Sequence, residues 1–263
     1  MSRHGRMKKK ADRQGFLILG GVLLIAIAGG IYFVKSKSET VQRDKDNLCR
    51  TDGIVSRETA VILDATDDFN ESQALLVKKE LELFLSNSLI DERFSIYAIN
   101  EKLANNKPIL VACNAGDGSE KSSINANLRR LKKDWEDKFY NKIFYHIDRL
   151  VGQHEAEQSP IMEFVKYVSV ETFYSSKAEQ KRLIIISDML HHTNDFSHYT
   201  PDNPFFKTPY AMEVRPYLSG VKVDVLYIYR PKNSVLQNRQ HIDFWEKYLT
   251  EGNGSLVRVK TVN

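Results

Sequence analysis

The chain has 263 residues, 42% of them hydrophobic and 27% charged, with a formal net charge of +4. That charge sits in the amino-terminal tail, where Arg3, Arg6, Lys8, Lys9, Lys10 and Arg13 face one acid, Asp12. The remainder is close to neutral and has no long basic patch with interleaved aromatics, which excludes nucleic acid as a partner.

Residues 16–34 (FLILGGVLLIAIAGGIYFV) are apolar throughout. The run is long enough to cross a bilayer as one helix, and it predicts a transmembrane helix after a basic tail over 1–15. Positive charge stays on the cytoplasmic side during insertion. The tail is therefore expected in the cytoplasm and the rest of the chain outside, as a single-pass protein of a bacterial inner membrane with a periplasmic carboxy-terminal domain. A cleaved signal peptide is the alternative. The run is longer than a typical signal core, and Tyr32-Phe33-Val34-Lys35 makes a poor cleavage site.

Residues 35–57 are polar and read as a linker, and 58–263 read as one folded domain. TAVIL (59–63), ending at Asp64, has the pattern of a buried parallel strand. A helix follows over 71–86, with Asn70 and Gln73 spaced as a capping box. FSIYAI (94–99) and PILVAC (108–113) are strands joined by a short link, which favours an antiparallel hairpin. Residues 127–151 form one long amphipathic helix, with Trp135, Phe139, Ile143 and Ile147 on its apolar face. Ser159 and Pro160 suit the cap and first position of a further helix reaching Tyr174. KRLIIIS (181–187), ending at Asp188, is the strongest buried-strand signal. A proline-punctuated loop, a strand over 221–229, a helix over 242–249 and a last strand over 256–262 complete the chain. Strands alternating with helices predict an α/β fold, a doubly wound and mostly parallel sheet with one antiparallel edge strand.

In such a sheet ligands bind beyond the carboxyl ends of the strands. Asp64, Thr66, Asp68, Ser159 and Asp188 are expected on that rim. Converging carboxylates repel, so a cation or a proton must join them, and hard oxygen donors of this kind suit Mg²⁺. Cys49 and Cys113 are an even pair in an exported domain, which suggests a disulfide, with two free thiols as the alternative.

The elements Asp64-x-Thr66-x-Asp68, Ser159 opening a later helix, and Asp188 after the central strand resemble the metal-ion-dependent adhesion site of von Willebrand factor A domains. That family carries D-x-S-x-S, a Thr at the later helix and an Asp after the central strand, and the resemblance spans about residues 58 to 262. It implies that Asp64, Thr66, Asp68, Ser159 and Asp188 hold Mg²⁺ or another divalent cation, and that the domain binds protein partners rather than acting as an enzyme. Asp68 departs from the pattern by adding a carboxylate where the family has a hydroxyl. Either the metal is held more directly, or the geometry is lost. Asp68 and Ser159 also have ordinary readings as helix caps. In this architecture the hairpin strand returns Cys113 to the rim at which Cys49 enters, so the resemblance favours the disulfide.

His191, His192, Asp195 and His198 crowd one loop. They are expected to shape a partner-binding rim, since loops on rigid scaffolds carry function. The alternative is a metal-dependent hydrolase using the acidic rim plus these histidines. No G-x-S-x-G, P-loop or G-x-G-x-x-G motif occurs, which argues against a nucleophile elbow and against nucleotide binding. The resulting expectation is a membrane-anchored interaction module with protein partners in the cell envelope.

Overall fold

A computed structural model describes residues 19–30, 41–66, 68–99, 107–119, 127–150, 156–200 and 204–263. The chain divides into two compact units, Met1–Gln42 and Arg43–Asn263. In the first, residues 19–30 are helical, and Leu19, Val22, Leu23, Leu24 and Ile25 are exposed. The basic tail and both ends of the expected 16–34 span lie outside the described residues. Among the described residues no helix is long and apolar enough to cross a membrane.

The second unit begins at Arg43, so residues 43–57 of the expected linker fall within it. Its first residues are held by ion pairs, a covalent bond and the burial of Leu48, while the polar composition of the rest resembles that of a tether. Arg43 and Arg50 form an antiparallel bridge. Both pair with Asp91, at 2.5 and 3.2 Å. The Cys113 amide donates to the Asn47 carbonyl at 2.8 Å, and Cys49 is bonded to Cys113.

The sheet has six strands: β1 (Arg57–Asp64), β2 (Arg93–Ile99), β3 (Leu110–Cys113), β4 (Gln180–Ser187), β5 (Val221–Ile228) and β6 (Ser255–Val262). Their spatial order is β3-β2-β1-β4-β5-β6. Every neighbouring pair is parallel except β2 and β3, so β3 is an antiparallel edge. All eight residues of β1 are buried, because helices cover both faces and no polar side is left to solvate. The two cores follow the strand alternation. Ala60, Ile62, Leu183 and Ile185 face the cluster containing Phe164, Val168, Trp245 and Tyr248. Val61, Leu63, Ile184 and Ile186 face the cluster containing Val77, Leu81, Phe139, Ile143 and Ile147.

The helices are α1 (Glu71–Ser86), α2 (Leu128–Trp135), α3 (Asn141–Leu150), α4 (Ile161–Val168), α5 (Pro209–Glu213) and α6 (Arg239–Glu251). The capping box at Asn70 and Gln73 is present. Gln73 rather than Leu75 faces inward from α1, because its amide donates to the Tyr229 carbonyl at 2.9 Å. The helix expected over 127–151 is interrupted by a π turn, Glu136–Tyr140, between α2 and α3. A second π turn, Ser169–Tyr174, extends α4. Pro160, not Ser159, occupies the cap position of α4, without a side-chain cap bond. α5 lies inside the stretch expected as loop. It is too short to show a 3.6-residue period, and the Thr208 hydroxyl caps it.

Candidate functional site at the carboxyl rim

β1, β4 and β5 are adjacent, and their carboxyl ends deliver Asp64, Ser187, Asp188 and Arg230 to one rim at the point where strand order reverses. Asp64 is 5% exposed and accepts at both oxygens. Oδ1 receives the Thr66 hydroxyl at 2.6 Å and the Thr66 amide at 3.2 Å. Oδ2 receives the Ser187 hydroxyl at 2.6 Å and the Ser159 hydroxyl at 3.3 Å. Ser159 is placed for this by a two-way backbone bridge to His192, with N–O distances of 2.9 and 3.0 Å. Its hydroxyl therefore serves the carboxylate instead of a helix end.

The chain after β4 makes two consecutive side-chain turns, in which the Met189 amide donates to Ser187 Oγ at 2.7 Å and the Leu190 amide to Asp188 Oδ1 at 2.8 Å. Such turns aim the carboxylate by local bonds alone. Met189 takes a left-handed backbone, φ 62°, a strained conformation for this residue type. Its carbonyl is held by Trp245 Nε1 at 2.9 Å and His241 Nε2 at 3.1 Å. The second oxygen of Asp188 pairs with Arg230 Nε at 3.3 Å. Arg230 Nη1 also donates to the Asp68 carbonyl, and its guanidinium lies 5.8 Å from the Phe69 ring centre.

Of the five residues expected on the rim, Asp64, Thr66 and Ser159 meet directly, and Asp188 stands beside them. Asp68 is exposed, and its backbone carbonyl turns to Arg230. Among the described residues there is no group of three His, Cys, Asp or Glu that could hold a metal ion.

No protein-family model matches the chain, and no curated protein matches it. Among solved structures, it is similar to an aerotolerance-related membrane protein from Bacteroides fragilis carrying multiple mutations to serine. Identity is 12% over 78% of this chain and 91% of that one, with a TM-score of 0.37. It is similar also to BatB from Bacteroides thetaiotaomicron, at 13% identity over 78% of this chain and 90% of that one, again with a TM-score of 0.37. Similarity at that level assigns no function to this chain.

The histidine loop departs from expectation. His192 and Asp195 are exposed, but His191 is fully buried. Its Nδ1 accepts the Met162 amide at 3.3 Å and its Nε2 meets the Tyr210 hydroxyl at 3.1 Å. His198 turns inward against His241, Phe244 and Phe196, and its ring nitrogens have no hydrogen-bond partner among the described residues. These two rings are removed from the expected partner rim, because the aromatic cluster under the loop takes them as packing groups. Burial lowers the His191, His198 and His241 pKa values from 6.5 to about 3, 2 and 4. Burial likewise raises the Glu163 carboxyl beside His191.

Sequence reasoning missed Ser187, Arg230 and Gln237. Arg230 had one available signal, a lone guanidinium two residues past an apolar strand whose end shares the acidic rim. A cleft of about 360 Å³ opens above Ser159 and Thr66, lined also by Glu157, Leu190, His192 and Tyr199.

Asp64 is the hub of these bonds. Asp64→Ala is expected to lower stability by about 3 kcal/mol, since it strands buried donors, as read by denaturant unfolding. Asp64→Asn is expected to recover more than half of that loss, because the serine and threonine hydroxyls can rotate to accept from an amide. Equal losses in the two variants would show that charge, not hydrogen-bond number, holds the rim.

Proposed function

We propose that this chain is a membrane-anchored, extracytoplasmic protein–protein interaction module of an envelope-associated assembly, with the carboxyl rim as its contact surface. The observation that carries the reading is the rim itself. Buried Asp64, bonded to Thr66 and Ser159 with buried Asp188 beside it, holds still a rim on which His192 and Tyr199 stand exposed, 5.5 Å apart between ring centres. Exposed aromatic side chains on a rigid frame are typical anchors of protein interfaces. The strand order and the antiparallel edge support the von Willebrand factor A resemblance. The Cys49–Cys113 bond supports an oxidising compartment. The exposed apolar side chains of the 19–30 helix support lipid contact when read with the continuous 16–34 run and the basic tail.

The hydrolase alternative loses two of its three histidines, because His191 and His198 face inward. A reporter fused to the carboxy terminus is expected to be active outside the cytoplasm; activity in the cytoplasm would end the reading. Pull-down of the detergent-solubilised chain is expected to capture a partner that His192→Ala with Tyr199→Ala loses. Equal capture by a variant that melts like wild type would move the contact surface elsewhere.

A further inference from the structure

We propose that Arg230 is the resident cation of the carboxyl rim, and that the rim is complete without a divalent metal. The proposal rests on the rim geometry and not on the partner reading.

While Arg230 holds Asp188, the donor set does not fit a divalent ion. An ion on Asp64, Thr66, Asp68, Ser159 and Asp188 needs oxygen lone pairs turned toward one point. A carboxylate offers about four lone-pair sites, and Asp64 already accepts four donors. Asp188 gives one oxygen to the Leu190 amide and the other to Arg230. Asp68, the carboxylate that departs from the resembled motif, turns its backbone carbonyl to the same guanidinium. The positive charge required by two converging acids is therefore supplied from within the chain, by the Arg230 guanidinium.

Arg230 is held at both ends. Its amide donates to Gln237 Oε1 at 2.6 Å, and Gln237 Nε2 donates to the Asp188 and Ile228 carbonyls at 3.0 and 2.8 Å. The preceding residue, Tyr229, is bound through its carbonyl to Gln73 on α1. The side chain then crosses the Phe69 ring to reach Asp188. The backbone is fixed by Gln237 and the guanidinium by Asp188, the Asp68 carbonyl and the Phe69 ring, which sets this arginine apart from a mobile surface charge. A second cation at the same carboxylates would meet the guanidinium's charge.

The test uses the full chain in detergent with Mn²⁺ alone as the probe, read by isothermal titration and by the melting midpoint. Wild type is expected to give a flat titration and the same midpoint in chelator and in excess Mn²⁺. Arg230→Met keeps an unbranched apolar side chain and removes the charge. It is expected to gain saturable Mn²⁺ binding and a midpoint that rises with Mn²⁺, both lost on adding Asp188→Asn. Arg230→Lys restores a charge and is expected to stay flat. Saturable Mn²⁺ binding by wild type that Asp188→Asn abolishes would overturn the proposal. So would a folded Arg230→Met variant that binds no Mn²⁺. If Arg230→Met does not fold, the wild-type and Arg230→Lys titrations still decide. These outcomes do not depend on whether a partner is captured in the pull-down.

Discussion

Breaking the Cys49–Cys113 bond, by reduction or by paired serine substitution, is expected to lower the unfolding free energy by about 4 kcal/mol, as expected for a closed loop of this size. The bond joins residues 64 apart in sequence, so it removes many open conformations from the unfolded chain. It also pins the 41–56 segment to the edge strand β3, where the Cys113 amide bonds the Asn47 carbonyl. Loss of the bond should therefore expose Arg43 and Arg50, whose pairing with Asp91 depends on that segment staying docked. Denaturant unfolding with and without reductant measures the first effect, and proteolysis near residue 50 the second. A reduced protein as stable as the oxidised one would place the segment's hold in the ion pairs instead.

Acid is expected to unfold the domain in a window set by three histidines. His191, His198 and His241 are held neutral by burial, with folded pKa values near 3, 2 and 4 against 6.5 for the free group. Below 6.5 the unfolded chain binds protons that the folded chain refuses. Their contribution is therefore fully present above pH 6.5 and is lost as pH falls toward 4. Near pH 5 almost three protons separate the states, so stability should fall on the order of 4 kcal/mol per pH unit. Glu163 works in the opposite sense by at most one proton, since burial raises its carboxyl. His198→Phe keeps the aromatic packing and removes one titrating ring, and it should reduce the slope by about a third. A flat profile from pH 7 to 5 would mean that these rings are solvated.

The histidines show why part of the site was legible and part was not. The run from Asp188 to His198 announces polar chemistry in sequence, but exposure is not a property of a residue string. His191 and His192 are neighbours, yet one is buried and the other exposed, because the bridge from His192 to Ser159 rotates alternate side chains to opposite sides. In sequence Ser159 stands out for its position before a helix, but its hydroxyl finds Asp64, 95 residues away. The expected linker shows the same limit: its polar residues look like a tether until Asp91 and Cys113 are brought beside them.

What the amino-acid order alone determined was local. The apolar runs of β1, β4 and β5, the capping box at Asn70 and Gln73, the short link that favours an antiparallel β3 and the even pair of cysteines all act over a few residues or through simple parity, and the sheet follows from them. Only the tertiary structure decided which charge answers the two acids. Arg230 lies 42 residues from Asp188, and Ser187 lies 123 from Asp64. Such pairs form only where adjacent parallel strands end on one rim, so the cation of this site is a consequence of strand order and not of any motif.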